Sequence, residues 1–182
     1  MWYERYRGYV PDMASFESIL SCPLPLSFWV NPLKAQAALV QAWLADERID
    51  CRVHPLLPDT FICNKKIPLG NHVLYRTGVI HIQEAVSMLP ALALQPQPGE
   101  RILDMCAAPG NKMALMAVQM KQQGVVIGND CRMPRLRSTG KIIKRLGVAN
   151  VALTLYDAQR YPAPDECFDK ILVDVPCSCE GT

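Results

Sequence analysis

Two stretches of the chain carry side chains that could perform chemistry at one site. The first, DMCAAPGNK, follows a short apolar run and extends from Asp104 to Lys112. The second is the apolar run ILVD, which ends at Asp174 and is followed by Val-Pro and the thiol of Cys177. Each stretch puts a carboxylate where a predicted strand ends, which is where open α/β sheets bind their ligands. The two stretches therefore predict a ligand site with a thiol beside it.

The turn within the first stretch is built from small residues, so a ligand can approach the backbone. The N–H groups at the start of the next helix favour a carboxylate or a phosphate. The turn lacks the Gly-x-Gly-x-x-Gly pattern of dinucleotide-binding folds and the Gly-Lys-Ser/Thr ending of a P-loop. By itself it also fits an ordinary tight connection between a strand and a helix. The candidate ligand-contacting residues are Cys106, Ala107, Ala108, Pro109, Gly110, Asn111 and Lys112.

An aspartate lies at or just after the carboxyl end of every predicted strand of the C-terminal half. A lone aspartate at such a position is usually a helix cap or a turn former. Asp104, Asp130, Asp157 and Asp174 together predict a crevice lined with hydrogen-bond acceptors. At the end of a second strand, a carboxylate commonly accepts hydrogen bonds from ribose hydroxyls, and Asp130 has that position. Asp157 follows the third strand, in reach of the exocyclic amine of an adenine.

The elements that must position these residues alternate between strand and helix. The pattern predicts strands at 101–105, 125–129, 151–155 and 170–174, and helices at 112–122 and 134–146. Gly124 and Gly147 are expected to end the two helices. Strands that alternate with helices imply right-handed crossovers, so we predict an α/β fold with about four parallel strands.

The residues before this unit predict a small α+β domain. Short strands are expected at 28–31, 51–54, 60–63 and 79–82, and helices at 33–46 and 83–94. The tract at 93–100 combines proline, glycine and polar residues, which is typical of a linker. We therefore predict two domains, 1–95 and 96–182.

Composition indicates a globular protein that is neither membrane-spanning nor disulfide-rich. Of 182 residues, 50% are hydrophobic and 20% are charged, and no apolar stretch approaches the length of a membrane span. The N-terminus does not resemble a secretory signal. The eight cysteines include no Cys-x-x-Cys pair, so we expect reduced thiols in the cytoplasm and no metal site. His54, His72 and His81 lack ligand spacing and are expected to be structural.

Positive charge is concentrated in one stretch of the chain, although the net charge is only +2. Such a cluster could contact nucleic-acid phosphates, but on charge alone a solvated helix face is an equally good interpretation. The stretch contains no acidic residue, and its basic residues are Arg132, Arg135, Arg137, Lys141, Lys144 and Arg145. Of these, Arg132, Arg135, Lys141 and Lys144 are the candidate RNA-binding residues.

The motifs in combination resemble the Nop/Sun family of S-adenosylmethionine-dependent RNA (cytosine-5) methyltransferases. The resemblance rests on CAAPGNK, on Asp130 and Asp157, and on DVPCS at 174–178. It extends upstream to FWVNPLK at 28–34 and IQEAVSMLP at 82–90. The resemblance implies a Rossmann-like class I methyltransferase sheet behind an N-terminal domain that contacts RNA. It favours ribosomal RNA, as in the bacterial members, over transfer RNA.

Roles for single residues follow from the same resemblance. Residues 106–112 would wrap the methionine and ribose parts of S-adenosylmethionine. Asp130 would hold the ribose, Asp157 the adenine end, and Asp174 the place where cofactor and cytosine meet. Cytosine C5 becomes nucleophilic only after a thiolate adds at C6, and the family uses the cysteine of a later Thr-Cys motif for that attack. Cys177, in the Pro-Cys motif, would then assist release of the product.

The chain departs from the family pattern in several places. It contains no Thr-Cys dipeptide, so the nucleophilic cysteine is absent. Asn111 stands where the family usually has a second glycine, and Cys179 where a glycine usually follows Pro-Cys-Ser. We expect the chain to be an N-terminal portion of a longer enzyme, with an incomplete sheet and no complete catalysis of its own.

Two other classes of function remain open from the sequence. The alternative is a non-catalytic module that binds RNA or a partner through the basic stretch. A nicotinamide-dependent oxidoreductase on a similar sheet is disfavoured by the sequence of the turn.

Overall fold

Two four-stranded sheets of different kinds organise the chain. The computed structural model describes residues 2–64, 67–162 and 164–176. The strands are β1 (Leu26–Val30), β2 (Cys51–Val53), β3 (Thr60–Cys63), β4 (Ile80–Ile82), β5 (Arg101–Asp104), β6 (Val125–Asn129), β7 (Val151–Thr154) and β8 (Lys170–Leu172). The helices are α1 (Met13–Ser21), α2 (Ala37–Asp46), α3 (Val73–Arg76), α4 (Ala85–Ala93), α5 (Asn111–Gln119) and α6 (Met133–Leu146). None of the described helices is long and apolar enough to span a membrane.

The first sheet is antiparallel and has the order β2-β3-β1-β4. Side chains of β1 alternate between its two faces, as the period of a strand requires. Phe28 and Val30 pack into the core of this sheet, where Phe28 stacks on Phe61. Trp29 points to the other face and joins the core of the second sheet. Strand β1 therefore contributes side chains to both hydrophobic cores.

The second sheet is parallel and has the order β7-β6-β5-β8. The chain moves outward from β5 to β6 and β7, and then returns to place β8 on the opposite side of β5. Such a reversal creates a crevice at the carboxyl ends of β5 and β8. The predicted α/β fold with four parallel strands is confirmed, and β8 pairs with β5 alone among the described strands.

Helix α5 packs on this sheet through its methionines. Met113, Met116 and Met120 are each fully buried. The prediction that Gly124 caps this helix is wrong. The helix ends at Gln119 with Met120 as its cap, because Lys121 and Gln122 take left-handed backbone angles, with φ of 52° and 61°. Gly147 does end α6, with φ of 72°.

The turn before α2 differs from the prediction that a helix begins at Leu33. The side chain of Asn31 accepts a hydrogen bond from the N–H of Leu33, which holds the chain in a turn until α2 begins at Ala37. Asn31 Nδ2 also donates to the carbonyl of Leu146, and Lys34 Nζ donates to that of Arg145. These side chains satisfy carbonyls at the end of α6 and join the N-terminal part to the parallel sheet. The domain boundary at 95 and 96 stays a prediction.

Candidate functional site

The two chemistry-bearing stretches meet at the crevice beside β5. Lys112 Nζ lies 2.6 Å from Asp174 Oδ2, although 62 residues separate the two in the chain. Lys112 belongs to the first turn of α5, which follows β5, and Asp174 follows β8, the neighbour of β5. The side chain of Lys112 is 19% exposed and that of Asp174 is 50% exposed, so the pair lies at the mouth of the crevice.

Asp104 lies beneath this ion pair and is 1% exposed. Within the described part of the chain, its Oδ1 has no hydrogen-bond partner. Burial raises the pKa of Asp104 to about 7, and the nearby negative charges of Asp174 and Asp130 act in the same direction. The backbone N–H of Cys106 and the charge of Lys112 oppose this rise. A buried carboxyl oxygen without a partner is costly, so this atom is suited to a ligand that brings a donor or a positive charge.

The turn between β5 and α5 is held from two sides. Gly110 has φ of 108°, and a Cβ atom there would come within 2.7 Å of the Thr139 side chain on α6, so only glycine fits. The guanidinium of Arg135 donates to the carbonyl of Ala108 at 2.6 Å. The N–H of Ala107 donates to the carbonyl of Asn129 at 2.7 Å. The turn is therefore fixed by α6 and β6.

Asp130 is engaged by its own chain. It is 2% exposed, and its Oδ1 accepts from the N–H of Arg132 at 2.9 Å. Its Oδ2 lies 2.9 Å from Arg135 Nη1 in an ion pair that lacks hydrogen-bond geometry. Asp157 is exposed and accepts from the N–H of Gln159, which caps a short 3-10 turn. The structure therefore groups Asp104, Asp130 and Asp174 around the turn. Asp157 makes the kind of contact that a lone aspartate after a strand usually makes.

The predicted basic patch divides into two groups. Arg132, Arg137, Lys141 and Lys144 are exposed. Arg135 serves Asp130 and the turn, as described above. Arg145 is directed inward, where its Nη1 donates to the carbonyl of Tyr75 and its guanidinium lies 4.0 Å from the centre of that ring. The surface available to an external phosphate is therefore smaller than the sequence indicates.

Two buried polar residues at the site were missed as site residues by the sequence analysis. Asn129 is fully buried, and its amide contacts the carbonyls of Met105 and Tyr156, which connects the loops after β5 and β7. Its place beside Asp130 at the end of a strand is the signal that could have revealed it. His81 is 2% exposed, and its Nε2 lies 3.0 Å from Asn111 Oδ1 at the start of α5. No sequence signal connects His81 with the turn, since β4 belongs to the other sheet.

Of the two motif thiols, that of Cys106 lies within the described residues and that of Cys177 does not. Burial raises the pKa of the Cys106 thiol, and the carboxylates of Asp104 and Asp130 add to that effect, so this thiol stays protonated at neutral pH. A protonated thiol is a weak nucleophile. Cys177, predicted to act in product release, lies outside the described residues, as does Cys179.

Comparison with known proteins places the site in a family context. A sequence model of the family described as "16S rRNA methyltransferase RsmB/F" matches residues 91–182, which include the turn and the Pro-Cys motif. A 28S rRNA (cytosine(4447)-C(5))-methyltransferase of Homo sapiens is 35% identical over 93% of this chain and 21% of its own length. A tRNA (cytosine(49)-C(5))-methyltransferase of Pyrococcus abyssi is 34% identical over 98% of this chain and 57% of its own length.

A solved structure agrees with the fold. A methyltransferase homologue from Pyrococcus horikoshii superposes with a TM-score of 0.82 at 36% identity, over 88% of this chain and 53% of its own. The chain thus spans about a fifth of the human relative and somewhat more than half of the archaeal proteins.

Proposed function

The chain belongs to the 16S rRNA methyltransferase RsmB/F family, and from this premise we propose that it forms the cofactor-binding part of an S-adenosylmethionine-dependent RNA (cytosine-5) methyltransferase. The observation that carries the proposal is the contact of 2.6 Å between Lys112 and Asp174. It joins the turn between β5 and α5, which we call the cofactor turn, to the loop that leads into the Pro-Cys motif. A bound cofactor and a target base would therefore meet at one place.

The residues at the crevice fit S-adenosylmethionine by charge. The unpartnered Oδ1 of Asp104 suits a cationic ligand, and the N–H groups at the start of α5 suit a carboxylate. S-adenosylmethionine carries both kinds of group, and when bound it supplies an electrophilic methyl group. Because the pKa of Asp104 is about 7, cofactor affinity is expected to rise as the pH increases through that value and the carboxyl group ionises.

We propose the remaining roles residue by residue. Residues 106–112 enclose the methionine and ribose parts of the cofactor, and Asp130 accepts hydrogen bonds from the ribose. Asp157 binds the adenine end, and Asp174 contacts the edge of the cytosine. Cys177 assists release of the methylated base. Asp130 keeps its ion pair with Arg135 in this scheme, so it would bind the ribose with an orientation that Arg135 helps to hold.

The proposed substrate is structured RNA, with ribosomal RNA ahead of transfer RNA. The family description names 16S rRNA, and the two relatives act on 28S rRNA and on transfer RNA by their names. The exposed cations Arg132, Arg137, Lys141 and Lys144 provide a surface for phosphates, so RNA affinity should fall as salt rises. A cytoplasmic location is part of the proposal, since the described cysteines are free thiols.

Titration of the purified chain with S-adenosylmethionine by calorimetry tests the cofactor site. Lys112→Ala removes the charge that holds down the pKa of Asp104 and the contact that positions Asp174, so less of Asp104 is ionised at neutral pH and we expect about a tenfold loss of affinity. Lys170→Ala is the matched control, because it removes an ion pair with Glu100 at the opposite end of the same sheet. A wild-type chain that does not bind S-adenosylmethionine would refute the proposal.

A further inference from the structure

His81 lies where the antiparallel sheet meets the cofactor turn. It is the middle residue of β4, and its ring is packed edge-on against Trp29 and stacked on Tyr75, with ring centres 5.3 Å and 6.4 Å apart. Its two ring nitrogens face two different elements of the parallel-sheet unit. Arg145 Nη2, on α6, lies 2.5 Å from Nδ1, and Asn111 Oδ1, on α5, lies 3.0 Å from Nε2.

The donor and the acceptor of each hydrogen bond between Arg145, His81 and Asn111 follow from the chemistry of these side chains. A guanidinium only donates, so Nδ1 of His81 must accept from Arg145. The imidazole is neutral, because burial above all lowers the pKa of His81 to about 4 and the charge of Arg145 acts the same way. A neutral ring that accepts at Nδ1 carries its proton on Nε2 and donates to Asn111. Asn111 must therefore present its oxygen to His81.

This orientation leaves the NH₂ group of Asn111 available. Nδ2 of Asn111 makes no hydrogen bond to any residue that the structure describes. Asn111 is the first residue of α5 and directly follows Gly110, so its NH₂ group belongs to the same helix terminus as the free backbone N–H groups. The backbone of Asn111 is not in the left-handed region, so the asparagine is not needed there for an unusual turn.

Arg145 is itself fixed, which makes the arrangement rigid. Its Nη1 donates to the carbonyls of Tyr75 and Ile80, at 2.6 Å and 3.3 Å. The carbonyl of Arg145 accepts from Lys34 at 2.8 Å. Both ends of the hydrogen-bonded series are thus held, one by the N-terminal sheet and the other by the start of α5.

We propose that His81 is a positioning residue for the cofactor: it holds the amide of Asn111 so that Nδ2 donates to the carboxylate of the methionine part of S-adenosylmethionine. The inference rests on the proposed function. It assigns a role to Asn111, where the family usually has glycine, and it makes the antiparallel sheet part of the cofactor site through one side chain.

A double-mutant cycle on S-adenosylmethionine affinity, measured by calorimetry on the full chain, tests the proposal. Asn111→Gly removes the donor, and His81→Phe leaves the ring shape but removes the orientation. Each is expected to weaken binding about tenfold or more, the effect of one hydrogen bond to a charged group. The affinity of the double variant for S-adenosylmethionine should be no lower than that of the single variant with the lower affinity, because the two residues act through one contact. Additive losses in the cycle would overturn the proposal.

A second pair of variants separates positioning from a merely structural role. Gln at position 81 can keep a donor where Nε2 lies, whereas Asn at that position can replace only Nδ1. His81→Gln should therefore bind S-adenosylmethionine nearly as the wild type does, and His81→Asn should bind it as weakly as His81→Phe. Equal affinities for the Gln and Asn variants would refute the role of His81, whatever their thermal stabilities.

The control is His72→Phe, because His72 caps α3 and contacts Glu47, away from the turn. It should lower the melting temperature and leave the affinity unchanged. Failure of the wild-type chain to bind S-adenosylmethionine would overturn both this inference and the proposed function. Binding by the wild type together with full affinity in His81→Phe would overturn only the inference.

Discussion

Asp104 and His81 are two buried titratable residues on opposite sides of the cofactor turn, and they differ in their partners. Asp104 belongs to the parallel sheet, and its Oδ1 has no hydrogen-bond partner among the described residues. His81 belongs to the antiparallel sheet, and both of its nitrogens have partners. Burial favours the neutral form of both side chains: it raises the pKa of Asp104 to about 7 and lowers the pKa of His81 to about 4. The satisfied residue supports the structure, and the unsatisfied one is suited to a ligand.

The two residues also have opposite effects on stability as the pH changes. The pKa of Asp104 is raised from 3.8, so its contribution is present below that pH and is lost as the pH rises through about 7. The pKa of His81 is lowered from 6.5, so its contribution is present above that pH and is lost as the pH falls through about 4. Between pH 4 and 6.5 the two slopes oppose each other in the wild type.

Asp104→Asn is expected to have the largest effect, and it should separate stability from binding. At pH 8 the variant avoids a buried charge, so it should be more stable than the wild type by about 2–4 kcal/mol. The same change should weaken S-adenosylmethionine binding about 10- to 100-fold, because the charged acceptor is lost. Urea unfolding and calorimetry at pH 8 measure the two quantities. A variant that is less stable and binds normally would show that Asp104 is a structural residue.

The pH dependence of unfolding sharpens the comparison. Asp104→Asn removes the Asp104 slope and leaves that of His81, so the free energy of unfolding should fall more steeply than in the wild type as the pH falls from 6.5 to 4. His81→Gln removes the His81 slope, so the free energy of unfolding should fall less steeply than in the wild type over the same interval. Urea unfolding at half-unit pH steps measures both slopes. If the two variants changed the slope of the wild type in the same direction, the opposition described above would be contradicted.

Asp130 tests whether a partner is what distinguishes these buried residues. It is a buried carboxylate that has a cationic partner, Arg135. Asp130→Ala frees Arg135 from that ion pair, so it should weaken S-adenosylmethionine binding about 3- to 10-fold and lower stability. Asp157→Ala is the comparison, since Asp157 is exposed and caps a short turn. It should cost about 1 kcal/mol of stability or less. Unchanged cofactor affinity in Asp130→Ala would remove Asp130 from the proposed site.

The fold of the C-terminal half was predictable because its signals are local. Alternating strand and helix patterns specified β5 to β8, and the predicted strand at 125–129 agrees with β6 to the residue. Helix ends were predicted less well, as Gly124 illustrates, because Lys121 and Gln122 take left-handed backbone angles before the glycine is reached. The order of the strands is a tertiary property, and the contact between Lys112 and Asp174 follows from that order.

The sequence by itself determined the family and predicted the turn proposed to receive the cofactor and the aspartates around it, because these depend on residue types at short spacing. Only the tertiary structure decided that Asp130 pairs with Arg135, that Arg145 is directed into the protein, and that His81 contacts Asn111. The last contact spans 30 residues and the one between His81 and Arg145 spans 64. The physical reason is that a carboxylate, a guanidinium or an imidazole takes its charge state and its role from burial and from partners that the fold brings to it.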